Sequence, residues 1–173
     1  MRLIVLCLNL LSVLLLVLIV SLITPFIYSK FFNRPVYIDS AFKPYLKDFE
    51  SDAKKYDTDI SLYKLITIFS THVPEGIAGY CLPHSKLVVI SKRSWDDLKD
   101  DGRKSLLYHE WGHCILRREH VEEEYGFPSY CPASIMYPYI EPMRRCYGEY
   151  KESYNQELFM NPFNFKKFSR RKK

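Results

Sequence analysis

Between Leu3 and Tyr28 the chain carries no charged residue, and its only clearly polar side chains are Asn9, Ser12, Ser21 and Thr24. A globular domain of this size could not enclose such a helix on all sides, so the run constrains what the rest of the chain can fold into. A helix needs about 20 apolar residues to cross the hydrocarbon core, whereas the apolar region of a cleavable signal is only about 7 to 15. Residues 1–30 therefore read as one transmembrane helix, an uncleaved signal anchor. A cleaved signal and a secreted protein are the alternative, although Thr24-Pro25-Phe26 and Tyr28-Ser29-Lys30 both place bulky residues where a cleavage site needs small ones. Arg2 stands on one side of the run and Lys30 and Arg34 on the other, so charge alone leaves orientation open.

The cysteines bear on orientation. Cys7 lies in the apolar run, and Cys81, Cys114, Cys131 and Cys146 remain as an even set suited to two disulfides in an oxidising compartment. The expectation is a single-pass membrane protein whose C-terminal domain lies on the extracytoplasmic side. Four reduced cysteines in a cytosolic domain are the alternative, and four cysteines allow three pairings.

The formal charge of +5 does not mark a binding face. Lys166, Lys167, Arg170, Arg171, Lys172 and Lys173 crowd into a basic tail over residues 166–173, and without these six the net charge is −1. No nucleic-acid partner is expected on that basis; a tail of this kind is a solvated end or a contact for anionic lipid headgroups.

Residues 31–165 are expected to form one α+β domain. Residues 36–38 read as a short edge strand. Tyr45, Leu46, Phe49, Ala53 and Tyr56 recur at helical spacing over 42–56. Residues 62–70 and 86–91 are rich in β-branched and aromatic residues and read as strands, with a shorter one at 79–82. The strand ending at Ser91 is expected to rim a cleft. A helical region follows from Ser94 or Asp96, breaks at Asp101-Gly102 and resumes over 103–116. Gly126, Pro128, Pro132, Pro138 and Pro142 then oppose long regular elements, and 148–160 offers a last amphipathic helix.

His109-Glu110-Trp111-Gly112-His113 lies within the predicted helix. Residues four apart share a helical face with Cβ atoms about 5 to 6 Å apart, so two imidazoles can meet one metal ion. Glu110 is turned roughly 100° away, where it can reach an activated water without competing for the metal. With five His in the chain, chance matches to this pattern are expected on the order of 0.01 times. Catalytic zinc keeps three protein ligands and one open position. The third candidate is His120, seven residues after His113, with Glu119 as the alternative; imidazole is the commoner zinc ligand. His72 and His84 read as ordinary surface residues.

The run HEWGHCILRREH resembles the metzincin metallopeptidases, whose helix reads H-E-x-x-H-x-x-G-x-x-H or D. Downstream, Ser134-Ile135-Met136-Tyr137-Pro138 looks like that family's Met-turn, with Met136 as the Met-turn residue. The resemblance implies a small metzincin-like zinc peptidase domain, a mixed sheet with an active-site helix and a C-terminal helix, preceded here by the transmembrane helix. It implies Zn2+ on His109 and His113, Glu110 as general base and acid, Tyr137 as a candidate oxyanion stabiliser, and a peptide or protein as substrate. Leu116 stands where the family has its glycine, Glu119 falls on the third-ligand position, and His120 is one residue late. The resemblance also implies a pairing of Cys81 with Cys114, and Cys131 with Cys146 is expected as the second. Two other readings stand beside it. One is a gluzincin-type peptidase with Glu149, Glu152 or Glu157 as the third ligand, and the other a non-catalytic, membrane-anchored zinc-binding protein.

Overall fold

A computed structural model describes residues 36–122 and 131–160, together with Val17, Ile19 and Ser21. The chain divides into two units, residues 1–35 and 36–173. Among the described residues no helix is long and apolar enough to cross a membrane. The expected transmembrane helix, and with it the single-pass membrane placement, is corrected on that finding. Most of residues 3–28 lie outside the described residues, as does the basic tail.

The second unit is α+β. Its elements run β1 (Tyr37–Ile38), a 3-10 turn (Ser40–Phe42), α1 (Lys43–Lys55), β2 (Ile66–Ser70), β3 (Gly79–Leu82), β4 (Leu87–Ser91), α2 (Lys92–Asp97), α3 (Asp100–Cys114) and α4 (Ile140–Phe159). The four strands form one mixed sheet in the order β1-β2-β4-β3. β2 runs parallel to β1 and β4, while β3 runs antiparallel to β4 with Gly79 opposite Ile90 and Leu82 opposite Leu87. β4 is therefore an interior strand, and its Val88, Val89 and Ile90 are buried in succession, as a strand covered on both faces requires. The rim expected from the strand ending at Ser91 belongs instead to β3, the terminal strand.

Local chemistry explains where the elements begin and end. Asp39 accepts the N–H of Ala41 and starts the 3-10 turn, and Pro44 occupies the first turn of α1, where its missing N–H costs nothing. Residues 62–64 do not join β2, because Lys64 takes a left-handed φ of 63° and Leu65 donates back to the Leu62 carbonyl. The Ser91 hydroxyl caps α2 by accepting from Ser94. The helical break falls at Leu98-Lys99, both extended, and not at Asp101-Gly102. Asp100 and Asp101 sit in the first turn of α3, where the helix dipole favours negative charge. α4 starts at Ile140 with Pro142 in its first turn and kinks at Tyr150 (φ −111°, ψ 20°), so the helix expected over 148–160 matches the stretch after the kink, and a further stretch precedes it.

The core lies between the sheet and α1, α3 and α4. Phe49 meets Tyr108, Trp111 and Phe159 edge-on, with ring centroids 4.9 to 5.3 Å apart. Trp111 donates its indole N–H to Thr67 Oγ1 on β2 at 3.1 Å, which sets the rotation of α3 about its axis. That rotation buries Trp111 against β2 and leaves His109 and His113 on the opposite side of the helix, facing the cleft. Two disulfides, Cys81–Cys114 and Cys131–Cys146, tie β3 to α3 and the segment before α4 to α4, both as expected. They fit an oxidising environment outside the cytoplasm, the secreted alternative.

Candidate metal centre

His109 and His113, one turn apart on α3, bring their Nε2 atoms to 3.1 Å. His120 reaches back so that its Nε2 lies 3.2 Å from that of His109. All three ligand atoms fall within 4.8 Å of one another. His109 and His113 are half-buried and His120 is exposed.

The tautomers follow from the other ring nitrogens. His109 Nδ1 donates to the Ile135 carbonyl at 2.9 Å, and His113 Nδ1 donates to the Arg118 carbonyl at 2.6 Å. A carbonyl can only accept, so the Nε2 of each neutral ring keeps its lone pair, directed at the shared point. Burial pushes the His109 imidazolium down to about 4, against a smaller opposing effect of the Ile135 carbonyl, and burial lowers His113 as well. Both rings are therefore neutral at pH 7, the form a metal requires. A tetrahedral zinc with Zn–N bonds of about 2.0 to 2.1 Å separates its ligand nitrogens by roughly 3.3 Å, close to the spacing seen here. With two lone pairs fixed on one point and a third imidazole nitrogen beside them, the donor set fits a borderline-soft divalent ion such as zinc.

The turn after α3 decides the third donor. Arg118 N–H bonds to the Gly112 carbonyl at 3.0 Å, six residues back, and Arg117 takes a left-handed φ of 58°. This closes the helix as a glycine cap would, but with arginine in the left-handed position. The turn falls one residue later than Leu116, and the third imidazole moves one residue with it. His120 converges, while Glu119 stays exposed at the mouth of the cleft and is not one of the three converging donors.

Glu110 is 4% exposed and lines the cleft, with one carboxylate oxygen close enough to Gly79 that a Cβ there would sit 3.2 Å from it. Burial pushes its carboxyl up to about 8. Met136 is fully buried under α3, in a turn where Tyr137 N–H bonds to the Ser134 carbonyl and Met136 N–H to the Ser134 hydroxyl. Tyr137 lines the cleft beside the histidines and meets Tyr139 edge-on at 5.7 Å. The cleft holds about 900 Å³, bounded by residues 76–81 on one side and 137–141 on the other.

The remaining candidates lie elsewhere. Glu152 pairs with Lys55 and Tyr56, Glu149 is exposed, and Glu157 is buried in an ion pair with Arg118. None of these belongs to the converging group. His72 and His84 are exposed loop residues, as expected. The bonds of Arg118, Glu157 and the Ser134 hydroxyl join positions up to 40 residues apart, with no local pattern in the sequence to announce them. Comparison with protein-family models, with curated proteins and with solved structures finds no match for this chain.

Proposed function

We propose that the chain is a metzincin-like, zinc-dependent endopeptidase in which His109, His113 and His120 bind the metal and Glu110 is general base and acid. The observation that carries the reading is the convergence of three imidazole Nε2 atoms on the floor of an open cleft, beside a buried carboxylate from the same helix. Zinc held there supplies Lewis acidity and lowers the pKa of a water to about 7.

The protein's own groups do the rest. Burial favours protonated Glu110, whereas a neighbouring dication favours the ionised form, so the two effects oppose each other at the group that must take up and release the proton. It accepts a proton as water attacks the peptide carbonyl and returns it to the leaving amine. Tyr137, on the cleft wall, is the donor proposed for the oxyanion. β3 ends the sheet beside the cleft, and an extended substrate adds alongside it through backbone hydrogen bonds. Exposed Ile77 and Tyr80 on one rim and Tyr139 on the other favour apolar side chains in that substrate.

The test is zinc stoichiometry together with hydrolysis of an unfolded polypeptide. One zinc per chain and cleavage that vanishes in Glu110→Gln are expected. A folded chain that binds no zinc overturns the reading.

A further inference from the structure

Both carbonyls that orient the metal-facing histidines hang on one buried ion pair. The Arg118 side chain is 10% exposed and that of Glu157 is 3%. The guanidinium bonds the Glu157 carboxylate and, at 3.0 Å each, the carbonyls of Glu157 and Leu158 in the last turn of α4. Those carbonyls have no partner within their own helix, and a cation there also meets the negative end of the helix dipole. The other Glu157 oxygen accepts the Ser134 hydroxyl at 2.6 Å, and that hydroxyl accepts the Met136 N–H at 3.0 Å.

Each end of this chain of bonds reaches a ring. Arg118 presents its own carbonyl to His113, and the turn built on Ser134 presents the Ile135 carbonyl to His109. The Val121 N–H, one residue past His120, bonds to the Met136 carbonyl at 3.0 Å and joins the third histidine's segment to the same turn.

We propose that Arg118, Glu157 and Ser134 form a buried charged clamp that positions His109 and His113 for the metal, with the C-terminal turn of α4 as its anchor. The inference rests on the metal-site reading given above. Burying an ion pair is expensive even with these hydrogen bonds, and apolar residues of similar volume often serve folding as well or better. Its geometry shows another use: the pair fixes two backbone carbonyls on segments separated in sequence, and through them the tautomers of two rings. None of the three residues touches the metal position, so they act as positioning residues. Outer partners of this kind commonly change metal affinity by about 10 to 100-fold.

The experiment compares the 173-residue chain with Glu157→Gln, Ser134→Ala and Leu46→Ala, the last a core truncation on α1 outside the clamp. Ring-nitrogen NMR shifts are read in the metal-free proteins, and Zn2+ affinity by competition with a chelator. In the wild type, His109 and His113 are expected to show protonated Nδ1 and bare Nε2. Glu157→Gln and Ser134→Ala should give mixed tautomers and Zn2+ affinity weakened about 10 to 100-fold. Leu46→Ala should lower thermal stability and leave ring shifts and affinity in place. Wild-type ring shifts and affinity in both clamp variants overturn the inference, as does an equal loss in Leu46→Ala, which would reduce the clamp to ordinary stability. A wild type with the expected tautomers but no Zn2+ binding overturns the metal reading and leaves the clamp standing.

Discussion

Gly112 and Met136 touch: a Cβ added to Gly112 would lie 2.6 Å from Met136 Sδ and 3.1 Å from Leu158 Cδ1. The contact joins α3, midway between its two ring-bearing turns, to the turn beneath it and to the end of α4. Gly112→Ala therefore sets a gain in helix propensity of about 1 kcal/mol against overpacking of about 1 to 3 kcal/mol. Met136 is fully buried in a hydrogen-bonded turn and has little room to yield, so overpacking should win by about 1 kcal/mol. A lower urea midpoint with an unchanged slope would show it; a midpoint equal to or above wild type would refute it.

The proposed metal centre distinguishes two neighbouring side chains. His120→Ala should weaken Zn2+ binding by at least about tenfold, whereas Glu119→Ala should leave it within about twofold. Because only the folded chain offers the site, saturating Zn2+ should raise the thermal midpoint, by about 4 kcal/mol of stability at a thousandfold excess over Kd. That rise should shrink in His120→Ala and persist in Glu119→Ala, and the reverse pattern would move the third donor to Glu119.

Glu110→Gln should keep one zinc per chain, since the carboxylate is not among the converging donors. Hydrolysis should fall by about 10²- to 10⁴-fold, the usual contribution of a positioned acid–base group. Activity retained in this variant, measured by fragment appearance on a gel, would remove Glu110 from the chemistry.

The Cys81–Cys114 disulfide ties β3, one rim of the cleft, to the last residue of α3. Replacing both cysteines by serine should cost about 2 to 5 kcal/mol in chemical denaturation. β3 amides should also lose hydrogen-exchange protection ahead of the amides of β2, which lies between β1 and β4. Equal loss of protection along both strands would show that the bridge stabilises the unit as a whole and does not specifically fasten the rim.

Where neighbouring residues supply the physics, the sequence was readable. Apolar spacing at i, i+3 and i+7 marks α1, with Leu46, Phe49 and Ala53 buried as that pattern requires. The i, i+4 histidines with an intervening glutamate place three site residues on one helix from a five-residue word. The turn over 134–138 was expected only from the resemblance to the metzincin Met-turn, and not from spacing. Other features depend on partners far along the chain. The strand at 87–91 has the same composition whether it is an edge or an interior strand, and its pairing with both β2 and β3 decides between them.

By itself, then, the sequence determined the α+β class, the helix carrying His109, Glu110 and His113, and a short list of partners for it. Only the tertiary structure decided among those partners. A left-handed turn at Arg117, held by a bond from Arg118 N–H to the Gly112 carbonyl, carries His120 to the other two rings and leaves Glu119 outside. It also decided how the rings are held, through an ion pair between positions 118 and 157. The reason is physical: helical spacing is set by bonds four residues apart, whereas convergence on a point and the burial of a charge pair exist only once distant segments have packed together.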